Sequence, residues 1–115
     1  MSDRPSSDPA FSAAADVAAA ADRWRRWLTT ERRAATHTVR AYLGDLQRFL
    51  AFVTDHFGRP PSLNDLGAAS LSEFRAYLAH RAGRGATAGT RARGLSGIRS
   101  FYRFLDRTGV LHNPA

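Results

Sequence analysis

His37, Arg40, Gly44 and Arg48 recur at three- and four-residue intervals, so at 100° per residue they share one side of a helix, with Ala41 among them. The opposite side carries Val39, Leu46 and Val53. A second set further along, Gly89, Arg93, Ser96, Ser100, Arg103 and Arg107, projects opposite Leu95, Ile98 and Leu105. Between Arg84 and Arg107 the only acidic residue is Asp106. A guanidinium neutralises phosphate and can fork onto guanine, while small neighbours let a nucleic-acid backbone come close. Two helices that each present a basic, small-residue, nearly acid-free side have the composition of a surface pressed on a duplex. A solvated arginine face is the alternative for any one of these residues, and a basic helical module that meets an acidic partner protein is the alternative for the set.

The other chemistry-bearing residues do not converge. His37, His56, His80 and His112 are dispersed, with no HxxxH spacing and no cysteine, so neither a zinc site nor any other cofactor is expected. Tyr42, Tyr77 and Tyr102 fall in or beside apolar stripes and read as core aromatics rather than nucleophiles. No Gly-rich phosphate loop, paired-carboxylate site or Ser/His/Asp arrangement emerges, so no catalytic residue is expected in this chain.

The elements that must position the two basic faces are helical. Met1 to Pro9 is rich in Ser, Pro and Asp and reads as part of a disordered leader over 1–15. A first Ala-rich helix runs from Phe11 to Leu28, with Val17, Ala20, Ala21, Trp24, Trp27 and Leu28 on one stripe and Arg23, Arg25 and Arg26 on its polar side. The strongest periodicity runs from Thr36, as N-cap, to Phe57, with Val39, Tyr42, Leu43, Leu46, Phe49, Leu50, Val53 and Phe57 in register. Gly58-Arg59-Pro60-Pro61 stops it. Ser70-Leu71-Ser72-Glu73 has capping-box form and opens a third helix that ends near Gly83, with Leu71, Phe74, Tyr77 and Leu78 inward. A fourth follows from Thr87 to Asp106, with Leu95, Ile98, Phe101, Tyr102 and Leu105 as its stripe. Gly89, Gly94 and Gly97 inside it cost about 1 kcal/mol each relative to Ala. They serve either tight helix packing or close approach of a phosphate backbone. No strand pattern appears, and the fold class is all-α: a compact bundle of four to five helices over 16–115.

Composition agrees. With 115 residues the chain holds one modest core. All 17 of its basic residues are Arg, against 10 acidic, and the net charge of +7 selects polyanions as partners. The lack of cysteine excludes disulfides and thiolate chemistry and fits a reducing cytoplasm. No apolar run approaches the roughly 18 residues needed to cross a bilayer, and the start lacks a signal peptide's apolar core, so a soluble cytoplasmic protein without membrane contact is expected.

Two segments resemble those of a known family. Thr36-His37-Thr38-Val39-Arg40-Ala41-Tyr42-Leu43-Gly44-Asp45-Leu46, followed by Phe49 and Phe52, is similar to the T-x-x-x-Y-x-x-D-L-x-x-F pattern of tyrosine recombinases, the phage integrase family. Arg93-Gly94-Leu95-Ser96-Gly97-Ile98-Arg99-Ser100-Phe101-Tyr102-Arg103-Phe104-Leu105, with Gly109 and Asn113-Pro114, resembles their R-x-L-S-x-[LIV]-R-x-F-[YF]-x-[FY]-L…G…N-P ending. Within the family the likeness is to the N-terminal core-binding (SAM-like) domain of the XerC/XerD group, XerC in particular, over about residues 16 to 115.

The resemblance implies a longer parent that cuts and rejoins double-stranded DNA through a catalytic domain that this chain lacks. It implies four recombinase subunits on two sites, including a XerD-like partner, and activation by a cell-division DNA translocase, in the resolution of chromosome dimers; integrases of phages and mobile elements share the architecture. It further implies that the core-binding domain is one jaw of a clamp whose second and fourth helices face the major groove. By position, His37, Thr38, Arg40 and Gly44 match the DNA-facing turns of the second helix, and Thr87, Thr90, Arg91 and Arg93 those of the fourth. Arg48 and Arg103 join them as phosphate contacts, and Arg93 is the candidate for a base edge. The first helix, with Trp24, would take part in subunit contacts.

Overall fold

The computed structural model describes residues 13–83 and 88–114, with the backbone alone over 88–94. Five helices account for most of it: α1 (Ala15–Thr30), α2 (Thr36–Phe57), α3 (Leu63–Ala68), α4 (Leu71–Gly83) and α5 (Ala88–Arg107). No strand occurs among the described residues. Residues 1–12, which hold most of the expected leader, lie outside the described residues.

α1 buries Val17, Ala20, Ala21, Trp24 and Leu28, the stripe its spacing predicts, while Trp27 is only half-buried. Its start is tied to the segment before α3: the Ala14 amide donates to the Pro61 carbonyl (2.9 Å), and the Leu63 amide donates to the Asp16 carboxylate (3.2 Å). Helix α2 departs from expectation at its first residue. Thr36 is the first helical residue and not the N-cap; Ala35 caps in extended conformation with no side-chain bond, and its carbonyl accepts the first ladder bond, from the Val39 amide. Its end is as predicted, with Gly58 left-handed at φ 79°.

The short helix α3 went unpredicted, because the Gly58–Pro61 breaker and the Ser70 signal leave only a few residues between them. It is held by a capping box of its own: Ser62 Oγ accepts from the Asp65 amide, and Asp65 Oδ2 accepts from the Ser62 amide. Helix α4 opens with the predicted box, the Ser70 amide donating to Glu73 Oε1 (2.8 Å) and the Glu73 amide to Ser70 Oγ (3.2 Å). Leu71, however, does not turn inward: at the first position of the helix it is 49% exposed, and Phe74, Tyr77 and Leu78 carry the packing.

The core is aromatic. Trp24 meets the edge of Phe101 (centroids 5.2 Å apart) and stacks on Tyr42 (6.4 Å); Phe49 lies between Phe74 (5.6 Å) and Tyr77 (5.3 Å). In α5, Ile98, Phe101, Phe104 and Leu105 are buried. Phe104 was not on the expected stripe and packs on Trp27, whereas Leu95 is half-buried. Ser100 was projected outward and instead accepts a hydrogen bond from the Trp24 indole N–H (3.2 Å), because α1 lies along that flank of α5. Burial raises the Tyr102 hydroxyl's pKa far above the ordinary tyrosine value, and it donates to the Leu66 carbonyl (3.0 Å). Asn113 also donates to that carbonyl and to that of Ala69, which pins the end of the described chain onto α3.

Candidate nucleic-acid interface

The relation of α2 to α5 decides whether the two predicted faces adjoin. These two helices make the most extensive helix pair of the fold. Their crossing is close because Gly97 has no side chain: a Cβ built there would stand 3.4 Å from the Tyr42 Cα and from the Asp45 Cβ and Oδ2. Of the two roles open to Gly97, the structure shows helix packing. The other two glycines, Gly89 and Gly94, have no described side-chain surroundings.

On α2 the side opposite Leu43, Leu46, Phe49, Leu50 and Val53 reaches solvent, as the projection requires. His37, Arg40 and Arg48 are exposed; Thr38 and Gly44 are half-buried. Among the described residues the atoms nearest the space over Gly44 are those of the Arg48 guanidinium, whose Nη atoms lie 3.6 Å from where a Cβ would be. Arg48 also bonds the carboxylate of Asp45 (Nη2 to Oδ1, 2.5 Å), and Asp45 is 1% exposed. The buried carboxylate thus anchors an arginine that keeps its outer edge in water, a geometry that limits the rotamers the guanidinium can adopt. Sequence reasoning missed Asp45; the signal was its i,i+3 spacing to Arg48 and its position on the border of the apolar stripe.

On α5 the outcome is divided. Thr87 lies outside the described residues, and Thr90, Arg91 and Arg93 lie on the helical backbone with side chains outside the description. Arg103 is exposed on the flank of α5 that borders α4, the flank away from Gly97 and α2. The structure therefore brings His37, Arg40, Gly44 and Arg48 together on one face of α2, leaves the half-buried Thr38 on the flank of the helix that Asp45 shares, and sets Arg103 apart from them.

A second basic feature was not foreseen. The half-buried ring of Trp27 carries the guanidiniums of Arg32, from the α1–α2 loop, and Arg107, from the end of α5, each 5.5 Å from its centroid. Arg33 beside them has a positive φ of 50°. On α1, by contrast, Arg25 and Arg26 are paired with Asp22, whose carboxyl is held below its ordinary range first by the hydrogen bond from Arg25.

Among the described residues no group of three or more His, Asp or Glu side chains is placed to hold a metal ion, and no helix is long and apolar enough to cross a membrane.

Comparison with known proteins matches residues 21–109 to the phage integrase N-terminal SAM-like domain. The chain is 61% identical over 105 residues to tyrosine recombinase XerC of Rhodospirillum centenum, covering 91% of this chain and 31% of that protein. It is 43% identical over 100 residues to tyrosine recombinase XerC of Brucella suis (87% and 32%) and 33% identical over 97 residues to that of Rickettsia africae (84% and 32%). The chain spans about a third of the length of these relatives. No solved structure matches it.

Proposed function

The chain belongs to the family of phage integrase N-terminal SAM-like domains, and from that premise we propose that it grips double-stranded DNA as the core-binding half of a XerC-like tyrosine recombinase. The observation that carries the reading is the outward face of α2, where Arg40 and the Asp45-anchored Arg48 flank Gly44, set against α5 at a crossing that Gly97 makes close.

In this reading Arg40, Arg48 and Arg91 contact phosphates, with Arg103 at the margin, and so fix the register of the domain on the duplex. His37, Thr38, Gly44, Thr87 and Thr90 line the approach, and Arg93 reaches a guanine edge. The strand-cleaving residues belong to the part of the relatives that this chain does not cover, and no catalytic role is assigned to any residue here. The whole protein would cut and rejoin DNA as a tetramer with a XerD-like partner, activated by a cell-division DNA translocase, in the cytoplasm at the nucleoid. A gel-shift series with a recombination half-site, a random duplex of equal length and polyglutamate tests the proposal. Retention of duplex with preference for the half-site supports it; retention of polyglutamate in preference to both duplexes contradicts it.

A further inference from the structure

α4 and α5 do not close on each other along their outer edges. Between them and residues 112–114 runs a groove of about 370 Å³, within the range of clefts that hold ligands, about 300–1,000 Å³. Its walls are apolar, from Phe74 and Leu78 of α4 and Leu95 and Ile98 of α5, and Leu71 stands at its lip. Leu71 is the one large hydrophobic side chain recorded as exposed among the described residues, at 49%. An apolar side chain left in water beside an apolar cleft is the pattern of an unfilled contact rather than of a scattered surface leucine.

The rim has a single dominant sign. Arg75, Arg99 and Arg103 border the groove, and no carboxylate among the described residues lies within ion-pair distance of any of them. The one acidic residue on the rim, Asp106, faces His112 at 3.4 Å. The groove lies on the opposite flank of α5 from Gly97, hence away from the α2 face assigned to DNA. A phosphate backbone supplies charge but nothing for an apolar floor. A peptide segment with apolar anchors between carboxylates supplies both.

We propose that the α4–α5 groove docks an acidic amphipathic segment of a partner protein, its apolar side chains beside Leu71 and Phe74 and its carboxylates on Arg75 and Arg99. Apart from Arg103, which stands at the margin of both, the site is separate from the duplex face, so domain-bound DNA and the docked segment coexist.

The test uses the 115-residue chain and a fluorescein-labelled helical peptide with leucines at i, i+3 and i+7 among glutamates, read by anisotropy. Controls replace its leucines by serine or its glutamates by glutamine. Saturable binding of the parent peptide, weakened at least about tenfold in both controls and in Leu71→Glu and Arg99→Glu, is the expected result. Leu71→Glu retains the wild-type circular dichroism and duplex affinity. Several results overturn the proposal: no saturable binding; equal binding to Leu71→Glu and wild type; loss of binding in Arg40→Ala or displacement by duplex, which puts the peptide on the α2 face; or a concentration-dependent dimer abolished by Leu71→Glu, which makes a second copy the occupant.

Discussion

Gly97 of α5 sits directly over Asp45 of α2, so close that a β-carbon on the glycine would stand 3.4 Å from both the Cβ and the Oδ2 of the aspartate. Asp45 in turn bonds the guanidinium of Arg48 on the exposed side of α2. One crossing therefore sets the distance between the two helices and fixes the arginine beside it, and packing and proposed recognition meet at the same three residues.

Gly97→Ala should be nearly neutral to stability, because the helix-propensity gain of about 1 kcal/mol offsets the crowding of one methyl against Asp45 and Tyr42. Gly97→Leu should destabilise by about 1–3 kcal/mol as an overpacked crossing and weaken duplex binding with it. Urea unfolding of both variants checks the pair.

Asp45→Asn removes the charge from a nearly inaccessible site and leaves the Arg48 guanidinium with a weaker acceptor. The expected cost is about 1–3 kcal/mol. Binding to duplex should fall less than in Arg48→Ala, since the guanidinium itself remains; denaturant midpoints and fluorescence titrations separate the two effects.

If about four phosphates are neutralised, the log of affinity should fall against log salt with a slope near −3.6. Arg40→Ala should reduce that slope by about 0.9 on every sequence tested. Arg93→Ala should instead cost about 1–3 kcal/mol on the recombination half-site and less on random DNA. Titrations at several salt concentrations on both duplexes check these values.

The Asp65 carboxyl is held below the ordinary aspartate value of 3.8, first by the Ser62 backbone amide and then by the Ser62 hydroxyl and Arg59. Because the folded value is the lower one, the capping box stabilises the fold above pH 3.8, and that contribution fades as the pH falls through the folded value. Wild-type urea midpoints should therefore drop in this acid range more steeply than those of Asp65→Asn, whose side chain does not titrate.

Much of this was legible in the sequence. The 3.6-residue repeat over Thr36–Phe57 located α2 and its exposed face, Gly58 located its end, and Ser70 with Glu73 located the start of α4, because each is a local signal. What escaped depends on the neighbouring element. Ser100 looks like a surface serine until the Trp24 indole is brought against it, and Leu71 looks like a core leucine until α4 is seen to begin with that residue facing solvent. Trp27 gave no hint that it would carry Arg32 and Arg107, residues that are distant from each other in the chain and converge only in the fold. Asp45 was named only as part of a family pattern; its bond to the Arg48 guanidinium offsets the cost of burying a carboxylate and supplies a physical reason for an acid at that position.

The most direct test is amide chemical-shift mapping of the isotope-labelled domain titrated with a half-site duplex. The shifts should concentrate at residues 37–48 of α2 and 88–94 of α5, leaving Leu71, Phe74 and Leu78 unmoved. Shifts centred on the α4–α5 groove or on the outer side of α1, with α2 silent, would contradict the assignment of the DNA-facing surface.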